Sequence, residues 1–374
     1  MKYLFRQLTA RRAAATLLTA LLVILLSACD WQSFGFNATQ TRFNNERNPP
    51  SALTRRWVTN NIFGTSPATV ANGVVYAGDT FGVVHALDAT TSATLWTFET
   101  GAEVDSAPAV ANGLVYVGSQ DFSVYALNAT TGALVWRTAT QRGIVGSPNV
   151  VGGVVYIGSA DHKLYALNAA TGATVWTFTT GDVIFGAPAV SDGIVYVGSI
   201  DRKVYALNAA TGALVWSFTT GNGIVASPAV ASGVVFIGSA DHKLYALNAT
   251  TGGVVWTFTT GDMIFGAAAI ANGTVYVGSF DHKLYALRAT DGVAVWSVDL
   301  GATILGAPAV ANGVLYVLVS DGTVHALSTA TGATVTPPFA TGTTGGPGSL
   351  NASPAVANGV VYVMDFGGKL LALA

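Results

Sequence analysis

From about residue 66 onward the apolar and polar positions form one phrase, repeated. A small-residue segment such as Ala187-Pro188-Ala189-Val190 meets a two-residue break, and an apolar run of the type VVYVGS follows. A second break leads to a run of the type KLYALN, and a Thr-Gly break leads to one of the type VWTF. Short runs rich in β-branched and aromatic residues, bounded by turn formers, predict strands, here four to each phrase. The first breaks read Asn72-Gly73, Asn112-Gly113, Gly152-Gly153, Asp192-Gly193, Ser232-Gly233, Asn272-Gly273, Asn312-Gly313 and Asn358-Gly359. These pairs suit type I′ hairpins, whose two central residues both need positive φ. Polar alternation within the strands is blurred, as expected of sheets covered on both faces.

The phrase has a fixed length. Trp96, Trp136, Trp176, Trp216, Trp256 and Trp296 recur at forty-residue intervals. Four antiparallel strands per forty residues, repeated about eight times, predict a β-propeller. Seven complete units run from about Ser66 to Phe339, and three further strands begin at Ser353, Val360 and Lys369. An orphan strand around Trp57 supplies the missing fourth. The expected fold is therefore all-β: an eight-bladed β-propeller of four-stranded antiparallel blades, closed by an N-terminal strand that completes the last blade and removes exposed edges. Blades splay with radius, so a flat indole suits the outer gap; burying each one contributes about 2–4 kcal/mol. In the seventh unit Thr336 replaces the tryptophan and Pro337-Pro338 follow, which an outermost edge strand tolerates.

Tryptophan here is followed by Thr, Ser or Arg and never by Asp, which sets the chain apart from WD repeats. The segment Ala166 to Trp176, reading ALNAATGATVW, instead resembles the tryptophan-docking motif of the pyrroloquinoline-quinone-like (PQQ-like) repeat family. It recurs at residues 126–136, 206–216 and 246–256, and at 286–296 with Asp291 in place of Thr. The first copy keeps Asp88 but has Ser92 where glycine is usual.

The N-terminus is of another kind. Lys2, Arg6, Arg11 and Arg12 precede an apolar run from Ala13 to Leu26, and Leu26-Ser27-Ala28-Cys29 follows. This arrangement reads as an export signal. The quartet resembles a bacterial lipobox, which implies lipidation of Cys29, the only cysteine. The expected organisation is a lipoprotein signal peptide over 1–28, a polar tether over 29–52 without strand or helix periodicity, and the propeller over 53–374. The spacing of Trp31, Phe34-Gly35, Thr41-Arg42 and Asn44 in the tether resembles the entry segment of PQQ-like repeat proteins. Such a lipoprotein sits on the periplasmic side of the cell envelope, in the inner or the outer membrane.

Charge adds little. The chain holds 17 Lys and Arg against 19 Asp and Glu, and all four charges of the signal are basic, so the remainder is mildly acidic. An unclustered acidic surface points away from nucleic acid. His162, His242 and His282 occupy equivalent Asp-His-Lys turns, but on different blades they stand far beyond the ~2 Å of metal bonds and read as solvated turn residues. His85 and His325 replace the tyrosine of the third strand and read as interior substitutions.

The loops that enter the first strands carry Ile144, Ile184-Phe185, Ile224, Ile264-Phe265 and Ile304-Leu305 at one expected height, near a mouth of the channel. Two readings are open: a packing ring that plugs the channel, or an apolar patch for a partner's strand or loop. The loop from Phe339 to Asn351 is longer than its counterparts and is either a contact loop or slack. Trp57, Trp96, Trp136, Trp176, Trp216, Trp256 and Trp296 are assigned to structural docking; no catalytic, cofactor or metal residue is assigned.

Signal, lipobox and blade count together resemble the family of outer-membrane-protein assembly factor BamB. That resemblance implies a non-catalytic, lipid-anchored, monomeric propeller that presents a face to envelope proteins, among them the β-barrel assembly machinery. The enzymatic branch, quinoprotein alcohol dehydrogenases, implies bound PQQ, a calcium ion, a cysteine pair and often CxxCH. This chain has neither cysteine signature, and Glu103, Asp105, Asp182 and Asp262 fall in loops of different blades. A sensor that binds a ligand or polymer at the channel mouth is the third possibility.

Overall fold

The computed structural model describes residues 37, 43–44, 52–59, 62–64, 66–344 and 353–374. Residues 1–28, expected to be an export signal, and Cys29 lie outside these residues, as does most of the long loop after Phe339. Within them, eight sheets close into a ring. The third blade stands for the rest: Asn149–Val151, Val154–Gly158, Lys163–Asn168 and Thr174–Thr179 run in order from the axis outward. Asn72 and Gly73 have φ of 51° and 74°, and every later hairpin pair is likewise positive at both residues, as type I′ turns demand.

The eighth blade is shared by the two ends of the chain. Ala355–Ala357, Val360–Met364 and Leu370–Leu373 are followed outward by Arg55–Val58, with Trp57 opposite Ala372 and Val58 opposite Leu371. Thr54 N donates to Ala374 O (3.1 Å) and Ala374 N donates back to Thr54 O (2.9 Å). The ring closes through a clasp, as the orphan strand implied.

Each seam is held by one repeated device. The Trp176 indole nitrogen donates to the Ala209 carbonyl in the next blade (2.9 Å), and the Tyr156 hydroxyl donates to the same oxygen (3.1 Å). Gly212, at φ 72°, lies against the face of that indole, where a Cβ would come within 2.7 Å of the ring. This explains the Thr-Gly step of the motif: the glycine both turns the chain and lets the indole close on it. Trp57 makes the equivalent bond to Ala89 O (3.0 Å) across the closure. At the seventh blade Thr336 fills the tryptophan position, buried and with no partner for its hydroxyl, while Pro337-Pro338 lie in the outermost strand Thr334–Ala340.

The tether over 29–52 contributes a strand: Phe43–Asn44 pairs in parallel with Ala309–Ala311, on the axial side of the seventh blade, making that sheet five-stranded. Two residues paired through backbone groups leave no side-chain alternation for a sequence reading to detect.

Candidate functional site at the loop face

The two ends of the ring differ chemically. One carries the two-residue hairpins and the Thr-Gly turns. The other, the loop face, carries the turns between second and third strands and the loops that lead from one blade to the next.

On the loop face an aspartate in each of blades two to six ties its own turn to the blade before it. Asp201 accepts from Lys203 N (2.9 Å), from the Tyr205 hydroxyl, and from Gly181 N of the preceding loop (2.6 Å). Asp121, Asp161, Asp241 and Asp281 grip Gly101, Gln141, Gly221 and Gly261 in the same way. Burial first, then the Asp241 carboxylate, pushes the Tyr245 phenol up to about 12, so it stays a donor. Burial alone would raise Asp281, but hydrogen bonds from the Tyr285 hydroxyl, Lys283 N and Gly261 N outweigh it and hold that carboxyl below the usual range. The seam between blades six and seven differs, since Gly301 N donates to Asp299 within its own blade.

The histidines of the Asp-His-Lys turns are left-handed turn residues, with φ of 67°, 70° and 73° for His162, His242 and His282. His162 and His242 stand 3.8 and 3.6 Å from the carboxylates of Asp182 and Asp262. His85 is buried, with Nε2 2.8 Å from Asp79 Oδ2, while Asp79 Oδ1 accepts from Phe81 N and Val83 N. In this first blade the pair replaces the Tyr-Asp contact of blades two to six. Burial pushes the His325 imidazole down, with Asp321 opposing. Burial, and then the neighbouring Asp105 carboxylate, raises Glu103; Gln120 donates to Asp105 (3.1 Å). Among the described residues no group of three or more His, Cys, Asp or Glu could hold a metal.

For most of the apolar ring the partner-facing reading needs correction, and packing holds instead. Ile144, Ile184, Ile224, Ile264 and Ile304 are fully buried, and Leu305 nearly so. A Cβ on Gly158 would come within 2.2 Å of Ile184, and Gly118, Gly198, Gly238 and Gly278 meet the other isoleucines as closely. The loop turns each isoleucine sideways into a seam, so these five residues pack between blades, and Leu305, at the next position, is covered as well. What remains half-buried at the mouth is Phe185 and Phe265, with Val145 and Val225 at matching positions and Asp105 in the second blade. Phe265 packs edge to face on Phe280 at 4.8 Å. The loops knit together around the axis through bonds such as Ala187 N to Ser227 Oγ (2.8 Å).

Three residues that the repeat-level reading passed over are the most exposed aromatics of this face. Phe63 and Phe81 are 46% and 72% exposed and stack edge to face at 5.9 Å, and Phe122 on the adjacent blade is 51% exposed. Their signal was present as a departure from the repeat: Phe81 stands where blades two to six have the seam aspartate.

A PQQ molecule carries three carboxylates and needs cations or a divalent metal facing them. At the mouth positions the chain places Asp105, Val145, Phe185, Val225, Phe265 and Leu305, and the inner edge of the seventh blade is covered by Phe43–Asn44. Among the described residues at these positions none is a cation that could face those carboxylates.

Comparison with known proteins gives the same architecture from two directions. The chain resembles BamB from Moraxella catarrhalis with a TM-score of 0.73 at 19% identity, covering 86% of this chain and 99% of that one. It resembles the quinohemoprotein alcohol dehydrogenase of Comamonas testosteroni with a TM-score of 0.77 at 18% identity, covering 92% and 80%. A europium-containing methanol dehydrogenase gives 0.77 at 15%, covering 91% and 90%. At such identities these likenesses show the shared propeller and nothing finer. No curated protein matches the chain. The family model described as outer membrane protein assembly factor BamB matches residues 31–177, 160–265 and 260–374. By that match, which runs from residue 31 to residue 374, the chain belongs to the BamB family of PQQ-like repeat β-propellers.

Proposed function

We propose that this protein is a non-catalytic scaffold of the cell envelope, held by a lipid on Cys29 at the periplasmic side and supporting the assembly of outer-membrane β-barrel proteins. The match to the assembly-factor family along the whole propeller is the observation that carries this reading. The mouth supports it: apolar, half-buried side chains at Phe185 and Phe265 suit contact with another protein's strand or loop better than they suit a charged cofactor. Knitted loops and a channel entered by the chain's own Phe43–Asn44 also favour touching over turnover.

Photo-crosslinking in intact cells, with the reactive residue at position 185 or 265, tests the reading. Recovery of the barrel-assembly machinery is the expected result. A PQQ-loaded protein that oxidises alcohol with a dye acceptor would overturn it in favour of a dehydrogenase.

A further inference from the structure

Five of the eight inner hairpins turn on an Asn-Gly pair: Asn72-Gly73, Asn112-Gly113, Asn272-Gly273, Asn312-Gly313 and Asn358-Gly359. All five asparagines are exposed, and φ lies between 41° and 52° for them and between 73° and 81° for their glycines. In a flexible chain this pair is chemically unstable. The glycine nitrogen, unhindered by a side chain, attacks Cγ of the asparagine. A C–N bond forms and the amide leaves as ammonia, taking with it the proton that the glycine nitrogen gives up. Water then opens the five-membered imide at either carbonyl, to aspartate or to isoaspartate. Ring closure needs the glycine nitrogen nearly eclipsed with Cβ. A type I′ turn sets ψ of its first central residue at about +30°, which holds that nitrogen about 150° from Cβ around the Cα–C bond. Bonds from the next turn clamp four of the tips as well. Ala89 N, Ala129 N, Ala289 N and Thr329 N donate to the carbonyls of Gly73, Gly113, Gly273 and Gly313, each at 2.9 Å, and the Thr329 hydroxyl adds a second bond to Gly313 O (3.0 Å).

From this we infer that the five Asn-Gly tips are sites of succinimide-mediated modification that the folded turn holds shut, so that each converts only while its own hairpin is open and keeps a covalent record of that opening. The inference is independent of the function proposed above, since the tips stand on the hairpin face, away from the mouth. The two products differ in fate. Aspartate fits: Asp192-Gly193 already occupies the fourth blade's turn at φ of 50° and 74°, against 51° and 74° for Asn72-Gly73. Isoaspartate puts one more carbon into the main chain, and a two-residue turn that pairs Ala71 with Val74 cannot absorb it. A tip converted to isoaspartate therefore does not reclose in register, and its opening becomes one-way.

The test follows the full chain in mildly alkaline buffer, folded or in urea, with isoaspartate read at each tip by methyltransferase labelling and peptide mapping. Folded, each tip should convert at least about a hundredfold more slowly than in urea. The order of the five rates should match the order of hydrogen exchange at Val74, Leu114, Thr274, Val314 and Val360, which close the same turns. Thr329→Ala gives blade seven the alanine that blades one, two and six carry at that position. Loss of one bond to Gly313 O should speed conversion of Asn312 about fivefold and leave the other four tips unchanged. A folded rate equal to the urea rate at any tip would overturn the protection. One common rate at all five, indifferent to Thr329→Ala, would overturn local opening in favour of global unfolding. Isoaspartate-bearing chains whose hairpin amides stay protected would overturn the one-way step.

Discussion

The clasp makes a prediction that separates it from every other seam. Trp57 is half-buried, stacks tilted on Tyr362 at 5.9 Å and donates to Ala89 O (3.0 Å). Trp176 does the same work between the third and fourth blades, with Tyr156 at 5.8 Å and Ala209 O at 2.9 Å. Truncating a fully buried tryptophan to alanine costs about 3–5 kcal/mol. For the half-buried Trp57 about 2–3 kcal/mol is expected, of which about 1 kcal/mol is the lost hydrogen bond. The two sites differ in what that loss releases. The blades on either side of Trp176 are each continuous in sequence, whereas Arg55–Val58 is held in its sheet by pairing with a strand more than 300 residues away and by Trp57 itself. Native-state hydrogen exchange on Trp57→Ala should therefore show the amides of Thr59 and Ala374, which bond across the clasp, exchanging roughly 50- to 100-fold faster through local opening, at 1.4 kcal/mol per tenfold. In Trp176→Ala the same amides should be protected up to the global unfolding limit. Uniform acceleration across the ring in Trp57→Ala would refute the idea that the ring opens first at its clasp.

Three further outcomes are expected. Thr336→Val removes a buried hydroxyl that has no partner while keeping its shape, and should raise stability by about 1 kcal/mol, read by thermal unfolding. Gly172→Ala must hold an alanine at φ 72° with its Cβ about 2.6 Å from the Trp136 ring; a loss of about 2–3 kcal/mol in urea unfolding is expected, whereas a loss of only about 1 kcal/mol would mean the glycine is there for the turn alone. His325 has a folded-state pKa below its unfolded one, so only the unfolded chain gains the proton at first. Stability is then full above the unfolded value near pH 6.5 and falls as pH drops through it toward the folded value. His325→Tyr, the residue of the other repeats, should flatten that part of the stability-pH curve.

Much of the fold was legible because its causes are periodic. The hairpin pairs declare positive φ by residue type, and the tryptophans declare the seams by recurrence. What the repeat could not disclose was the direction of side chains within an irregular loop: Ile184 and Phe185 are neighbours of similar chemistry, yet one fills a seam and the other edges the mouth. Nor could it disclose Phe43–Asn44, a strand of two residues, too short for any alternation to show. The exposed aromatics of the loop face were hidden for the opposite reason. A reading built on what repeats looks past Phe81, whose meaning lies in being different.

The eighth blade has a consequence in time. Thr54 and Ala374 are partners across 320 positions of sequence, so the last sheet cannot exist until both stretches are present together. Earlier blades can form as soon as their forty residues are available, but the growing arc carries an open edge at each end until the circle completes. During that interval the same edges can pair with another unfinished molecule, trading Arg55–Val58 between two chains. Synthesis that delays or crowds the final residues is the condition under which such exchanged dimers should accumulate.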